Sequence, residues 1–188
     1  RLARFIAYAR QRLPKSVIGF GTNGSRLQGR IASELLDSGV DEICVNFPGN
    51  RKITYESHML GLRYESVREN LIRFAGEIRR RGLAIRLMTC LVETVQALRE
   101  AEESRSFWRE HGVEVTTIPL NNRGGNVDDL ELRVLPRATA RRTCDRPFNH
   151  VYIRYNGDAI LCSSDWQAST VIGNVLRSSI REVWSGER

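Results

Sequence analysis

Two cysteines near the end of the sequence flank a pattern typical of a β-hairpin. Cys144 precedes an alternating stretch from His150 to Tyr155, Asn156-Gly157 predicts a two-residue turn, and the chain returns over Asp158 to Cys162. Because a hairpin brings its open ends together, the two sulfurs are expected to lie near each other. Two converging thiolates would supply two of the four ligands of a metal or iron–sulfur site. A pair of buried free thiols is the alternative interpretation.

The other two cysteines are Cys44 and Cys90. They lie too far apart along the chain to form a closely spaced ligand motif. Cys90 falls at the end of a predicted strand, where it could be a ligand, a substrate contact or a structural core residue. Since no secretory signal is visible, the cysteine usage favours the reducing cytosol, and we expect a cytoplasmic protein.

Apolar periodicity predicts alternating helices and strands. The short buried strands are Val17–Phe20, Glu42–Asn46, Ala84–Cys90 and Glu114–Leu120. The helical patterns are Leu2–Leu13, one that begins at Ile31–Leu36, Tyr64–Arg81 and Val95–His111. This alternation is typical of an α/β fold with a parallel sheet, either a barrel or a doubly wound sheet.

Polar and glycine-rich loops follow all of these strands. They are residues 21–24, 46–49, 89–90 and 121–126. Ligands bind at the carboxyl ends of parallel strands, so the loops could together form a binding rim. Glycine and asparagine also simply make turns, and that alternative stays open for each loop.

A change of pattern suggests the domain organisation. Residues 1–126 form the α/β part, residues 127–143 are polar and irregular and suggest a linker, and residues 144–188 form a small module. Within the module, Ser179 and Glu182 match a capping box that begins a helix. The expected module is therefore a β-hairpin plus a helix.

Composition excludes several classes of protein. The 188 residues are 41% hydrophobic, enough for a core, and no stretch is long and apolar enough to span a membrane. The formal net charge is +7, supplied almost wholly by arginine. A basic excess could serve an anionic partner such as nucleic acid, but the charges are spread along the chain, as on a solvated surface.

A compound signature of about 40 residues runs through the small module. It begins with the spacing of Cys144, Gly157 and Cys162. It continues through Cys162-Ser163-Ser164-Asp165-Trp166, Ile172-Gly173-Asn174-Val175 and Ser179-Ile180-Arg181-Glu182-Val183-Trp184. Together these segments resemble the SPASM/twitch auxiliary-cluster domain of radical S-adenosylmethionine enzymes.

The upstream part is similar to the same family. Thr22-Asn23-Gly24, Val45-Asn46-Phe47-Pro48-Gly49 and residues 121–126 resemble strand ends of its barrel. The resemblance therefore implies a partial (β/α)6 TIM-like barrel followed by the SPASM/twitch-like module.

The resemblance also implies roles for particular residues. Asn46 and the loop containing Asn122, Gly124 and Gly125 would approach S-adenosylmethionine. A turn-capping role for Asn46 is the alternative. Cys144 and Cys162 match the first two ligands of the auxiliary cluster, while no catalytic residue is assigned within the chain.

Two motifs of the family do not occur in this sequence. They are the Cys-x3-Cys-x2-Cys that binds the catalytic cluster and the Gly-Gly-Glu that typically holds the methionine amino group. The chain also ends before the Cys-x2-Cys that usually completes an auxiliary cluster. We therefore expect an internal fragment, inactive alone, with the missing motifs on either side.

For the complete protein, the resemblance implies reductive cleavage of S-adenosylmethionine and hydrogen abstraction from a peptide or small-molecule substrate. The cofactors would be [4Fe-4S] clusters and S-adenosylmethionine, with an electron donor such as flavodoxin or ferredoxin as partner. Neither a membrane nor nucleic acid is expected. The alternatives are a basic α/β module that binds nucleic acid or another anionic partner, and an α/β protein with a structural zinc site.

Overall fold

The computed structural model describes residues 1–120 and 144–186, which belong to two compact units, 1–120 and 121–188. Each unit is described on its own. The predicted linker, residues 127–143, lies outside the described residues. The predicted domain boundaries therefore stay a prediction.

The first unit contains a parallel sheet. Its strands are β1 (Gly19–Thr22), β2 (Glu42–Asn46), β3 (Arg86–Glu93) and β4 (Glu114–Pro119), in the spatial order β1-β2-β3-β4. Neighbours in the sheet are thus neighbours in sequence, as in the wall of a barrel, whereas a doubly wound sheet reverses its strand order. The predicted α/β fold with a parallel sheet is confirmed.

Helices precede and connect these strands. They are α1 (Leu2–Arg12), α2 (Gly29–Leu36), α3 (Lys52–His58), α4 (Tyr64–Arg80), α5 (Val95–Arg99) and α6 (Ala101–Glu110). The sequence predicted neither α3, which is short and buries only Thr54 and Tyr55, nor the break between α5 and α6. The break falls at Glu100. Its amide donates a hydrogen bond to the Ala97 carbonyl, three residues back, so the last turn of α5 is of the tighter 3₁₀ type.

The core lies between the sheet and the helices. Ile43 and Val45 of β2 are fully buried and belong to the same cluster as Leu71 and Phe74 of α4. Trp108 of α6 is also fully buried. These side chains pack the helices against one face of the sheet. The residues that alternate with them along each strand point to the other face.

A carboxylate joins α1 to the start of the sheet. Asp41 accepts a hydrogen bond from the Ile18 amide at 2.7 Å and forms an ion pair with Arg10 of α1. These contacts hold the pKa of Asp41 below its ordinary value, the backbone bond being the larger cause. The first strand is thereby aligned with β2.

The described part of the second unit contains a small antiparallel sheet and two helices. It comprises α7 (Arg146–Asn149), β5 (Tyr152–Ile153), β6 (Asp158–Ile160), β7 (Val171–Asn174) and α8 (Ile180–Ser185), with strand order β5-β6-β7. The predicted capping box starts α8. Ser179 Oγ accepts from the Glu182 amide at 3.2 Å, and the Ser179 amide donates to the Glu182 carboxylate at 2.7 Å.

The hairpin is present, but its turn differs from the prediction. The Gly157 amide donates to the Arg154 carbonyl at 2.9 Å, and the Arg154 amide donates to the Asp158 carbonyl at 2.8 Å. The loop therefore holds three residues, 155–157, instead of the two predicted. Gly157 has φ +88°, the left-handed conformation that ends such a three-residue loop. One added loop residue changes which side chains of the two strands face each other.

The strand β7 was not predicted. It pairs antiparallel with β6, and the pairing contains an irregularity at Ala159 and Ile160. A short strand interrupted by Gly173 lacks the alternation that marks a strand in sequence. A Cβ at Gly173 would come within 2.9 Å of the Val183 side chain, so glycine allows α8 to pack on β7.

No helix within the described ranges has both the length and the apolar composition needed to cross a lipid bilayer.

Two phenylalanines test where the core of the first unit lies. Phe74 is 2% exposed and Phe5 of α1 is 70% exposed. We expect Phe74→Ala to lower the free energy of unfolding by about 3–5 kcal/mol, since it removes a buried ring and leaves a cavity. Phe5→Ala, the matched control, should change it by about 0.5 kcal/mol or less. Urea unfolding followed by circular dichroism measures both, and equal effects would contradict this placement of the core.

Candidate functional site

The register of the parallel sheet decides which candidate residues share a face. Cys44 pairs with Met88, and Asn46 pairs with Cys90. Paired residues of parallel strands point to the same side, so these four side chains lie on one face. None of the four belongs to the hydrophobic cluster that packs against the helices. They therefore occupy the face opposite the helices, where a barrel would have its interior.

Asn46 is the last residue of β2 and is exposed on this face. Directly after it, the Phe47 amide donates to the Cys90 carbonyl at 3.1 Å and Phe47 itself is buried, so the contact with β3 extends one residue beyond β2. A carboxamide can both donate and accept hydrogen bonds. Asn46 is thus available to a ligand at the carboxyl end of the sheet.

A buried carboxylate fixes the loop that follows Asn46. Glu100 is 5% exposed and accepts hydrogen bonds from the Asn50 amide at 2.7 Å, the Arg51 amide at 3.0 Å and the Thr54 hydroxyl. The Asn50 and Arg51 amides precede α3, and the carboxylate satisfies them in place of a local capping residue. Sequence reasoning missed Glu100, because nothing in its local pattern indicates a partner so far away along the chain.

The same loop requires glycine at position 49. A Cβ there would lie 2.4 Å from Thr54 Cγ2, and the glycine itself is buried. The loop that begins at Asn46 is therefore closely packed against α3.

The loop after β1 is held by its own side chains. Asn23 Oδ1 accepts from the amide and the hydroxyl of Ser25 at 3.1 and 2.8 Å. Gly24 has φ +74°, and a Cβ there would lie about 3 Å from side chains of Val45 and Leu71. Asn23 and Gly24 thus make a turn, as the simpler interpretation of this loop proposed.

The remaining predicted cofactor contacts, Asn122, Gly124 and Gly125, lie outside the described residues. Two other residues of the predicted rim, Asn46 and Cys90, belong to neighbouring strands. The structure places them opposite each other on one face of the sheet.

In the second unit, Cys162 follows β6 and Cys144 precedes α7. Neither forms a disulfide; Cys144 is exposed and Cys162 is half-buried. The Ser164 amide donates to Cys162 Sγ at 3.4 Å. An N–H···S hydrogen bond stabilises a thiolate, as it does at iron–sulfur ligands. Within the described residues, no group of three or more histidine, cysteine, aspartate or glutamate side chains could hold a metal ion.

Asp165 shapes the loop that carries Cys162. Its amide donates to the Cys162 carbonyl at 3.0 Å, and its carboxylate accepts from the amides of Ser169 and Thr170 at 3.0 and 2.7 Å and from both hydroxyls. The Leu161 amide donates to Thr170 Oγ1 at 3.4 Å. The side-chain bond from Thr170, with the other donors, holds the pKa of Asp165 far below its usual range.

The histidines have packing roles. Nδ1 of His58 lies 2.8 Å from the Thr54 carbonyl, and Nδ1 of His111 lies 2.9 Å from the Phe107 carbonyl. Both imidazole rings therefore form hydrogen bonds with backbone carbonyls in the last turn of a helix. His150 stacks on Tyr152 with a centroid distance of 5.9 Å.

Comparison with known proteins gives two matches. Residues 144–188 match the family model of SPASM, an iron-sulfur cluster-binding domain. Among solved structures, the chain is similar to a crystal structure of BtrN in complex with AdoMet and 2-DOIA, with a TM-score of 0.58 and 17% sequence identity. That similarity covers 99% of this chain and 56% of the BtrN chain. No curated protein sequence matches.

These matches confirm two predictions made from the sequence. Residues 144–188, which contain Cys144 and Cys162, are similar to an iron-sulfur domain of the SPASM type. Nearly the whole chain shares the fold of BtrN, while spanning about half of that protein's length. The ligand roles of Cys144 and Cys162 stay a prediction.

The Asp165 network generates a pH-dependent prediction. Because the pKa of Asp165 is lowered on folding, its contribution to stability is present above the ordinary aspartate pKa of about 3.9 and is lost as the pH falls through the lowered value. Asp165→Asn should therefore speed hydrogen exchange at the Ser169 and Thr170 amides at pH 7, and the difference from wild type should shrink below about pH 4.

Amide exchange followed by NMR measures this effect. Asp145→Asn is the matched control, since the Asp145 side chain accepts no hydrogen bond within the described part of the chain. An equal change in both variants, or none in Asp165→Asn, would contradict the assigned role.

Proposed function

We propose that this chain is part of a radical S-adenosylmethionine enzyme whose second unit binds an auxiliary [4Fe-4S] cluster. The full-length protein would cleave S-adenosylmethionine reductively and abstract hydrogen from a peptide or small-molecule substrate. The observation that carries the proposal is the SPASM match over residues 144–188. The BtrN fold of the remainder supports it, since AdoMet is bound in that crystal structure.

The residues around Cys162 suit a cluster ligand. Its sulfur is half-buried, free of any disulfide, and already accepts a backbone hydrogen bond from Ser164. The Asp165 network would hold this loop in place while a thiolate is ligated. Cys144 supplies the second thiolate, and the remaining ligands would come from other parts of the protein.

On the sheet, Asn46 would orient S-adenosylmethionine. Its carboxamide lies at the carboxyl end of β2, and Glu100 makes the loop after it rigid. A rigid loop lowers the entropy lost when a polar ligand is bound and aligned. When bound, the clusters and S-adenosylmethionine supply electron transfer and a radical, and this chain's own residues bind, orient and exclude water.

We propose no nucleic-acid partner, because the basic residues are spread along the chain and form no arm or run. Seven of the described arginines are in addition paired with carboxylates, among them Arg51 with Glu103, Arg81 with Asp37 and Arg86 with both Glu42 and Glu114.

The cluster proposal predicts an iron loss. In full-length protein prepared anaerobically, Cys144→Ala/Cys162→Ala should lower the iron content by about four atoms per chain, with a parallel loss of sulfide. Cys44→Ala/Cys90→Ala is the matched control and should keep its iron. Unchanged iron in the first variant would overturn the ligand assignment, and zinc in place of iron would favour a structural zinc site.

The role of Asn46 predicts a loss of affinity. Asn46→Ala should weaken S-adenosylmethionine binding to the full-length protein about fivefold, the equivalent of one hydrogen bond of ~1 kcal/mol. Asn46→Ser keeps a donor and an acceptor and should retain most of the affinity. Isothermal titration calorimetry measures both. Identical affinity in all three proteins would show that Asn46 makes turn contacts only.

A further inference from the structure

A cleft of about 270 Å³ opens in the first unit between the loop after β1 and the first turns of α4. Its wall on α4 consists of residues that recur at spacings of three and four and therefore share one face of the helix, namely Arg63, Ser66, Asn70 and Arg73. The described lining contains no residue of the sheet. The cleft is thus separate from the face that carries Asn46.

A buried carboxamide fixes one of the two arginines. Asn70 is 3% exposed; its Nδ2 donates to the Ser25 carbonyl at 3.2 Å, and its Oδ1 accepts from Nη2 of Arg73 at 2.9 Å. Asn70 therefore ties the loop after β1 to α4 and sets the orientation of the guanidinium beside the cleft. A guanidinium carries five N–H donors, and Asn70 accepts only one of them. The others have no acceptor within residues 1–120 and 144–186, so they can bind a ligand without reorganisation.

Positive charge prevails in the cleft. Its lining holds two guanidinium groups, those of Arg63 and Arg73, and one carboxylate, that of Glu69, which leaves one net positive charge. Neither arginine is ion-paired with a described carboxylate. Glu65, two residues after Arg63, is instead paired with Lys52 at 3.1 Å. The cleft therefore attracts an anion.

Side chains, and not the helix terminus, supply this attraction. The first amide of α4, that of Tyr64, already donates to the Glu56 carboxylate at 3.1 Å. Ser66 and Gln28 add a hydroxyl and a carboxamide to the lining, and neither side chain has a hydrogen-bond partner among the described residues. The cleft thus offers cationic and neutral donors together.

Size and charge indicate the class of ligand. Guanidinium groups bind phosphate through parallel N–H···O hydrogen bonds. A volume of about 270 Å³ lies just below the ~300–1,000 Å³ of pockets for drug-sized ligands, so the ligand is small. Arg63 and Arg73 are ten residues apart, about 15 Å along a helix axis, so a phosphate bound at Arg73 leaves Arg63 to act at longer range. The ionised carboxylate of Glu69 can only accept hydrogen bonds, and hydroxyl groups of the same ligand would supply them.

We propose that this cleft binds a small organic phosphate that carries hydroxyl groups, with the phosphate at Arg73 and a hydroxyl at Glu69. The buried Asn70 holds the Arg73 guanidinium in place for the phosphate. The site uses residues of the first unit only and lies apart from Asn46. It is therefore independent of the proposed cluster and of S-adenosylmethionine binding.

Glycerol 3-phosphate is the probe that tests this proposal. In isothermal titration calorimetry of the full-length protein we expect a Kd on the order of 1 mM, and Arg73→Gln should weaken binding about tenfold because charge-assisted hydrogen bonds are lost. Arg109→Gln is the matched control. Arg109 is exposed on α6 and lies outside the cleft, so this variant should keep the wild-type Kd. No binding up to about 10 mM, or equal losses in both variants, would overturn the proposal.

The role of Glu69 has its own readout. The wild-type protein should bind glycerol 3-phosphate more tightly than inorganic phosphate. Glu69→Ala removes the hydroxyl acceptor together with a repulsive charge, so inorganic phosphate should bind about twofold more tightly and the preference for glycerol 3-phosphate should disappear. A preference that persists unchanged would exclude Glu69 as the hydroxyl acceptor.

Succinate is the probe for the competing class of anion. It carries two carboxylates and no phosphate, and we expect it to bind more weakly than glycerol 3-phosphate, because a phosphate offers three acceptor oxygens and more charge to one guanidinium. Binding of succinate as tight as that of glycerol 3-phosphate would show that the cleft is a carboxylate site and would overturn the phosphate assignment.

Discussion

The alternation of side chains along β2 and β3 is the constraint on which the first unit depends. Ile43 and Val45 must face the helices, because their burial against α4 supplies the core. Cys44 and Asn46 are then forced to the opposite face. A shift of the register by one residue would bury the polar set and expose the apolar one. The same packing that folds the sheet therefore decides which side chains are left for chemistry.

The second unit is organised differently. Its helix α8 begins with a reciprocal cap, its hairpin closes on a left-handed glycine, and the loop after Cys162 surrounds one carboxylate. Local polar contacts, more than apolar burial, define this structure. Such contacts are specified by a few residues at fixed spacing, and a short signature can therefore identify the module when overall identity to BtrN is 17%.

This difference explains how far the sequence could predict the structure. The strand at Glu42–Asn46 and the helix from Tyr64 were predicted closely, because apolar periodicity reports burial directly. The capping box was predicted because it is local. The contacts of Glu100 were not predicted, since they join residues distant in sequence. The placement of Cys44 and Cys90 on one face of the sheet was not predicted either, since it depends on the register of the strands. The third strand β7 was missed because Gly173 interrupts its alternation.

The small number of buried residues in the second unit affects how the protein resists degradation in the cell. Of its described residues, only Gly157, Ala159 and Ile160 are buried, so its apolar core is very small. Units of this size commonly depend on a bound metal for their folding free energy. If the cluster is bound as proposed, iron supply would set how long this part of the chain survives proteolysis, and iron starvation would act first as a loss of protein.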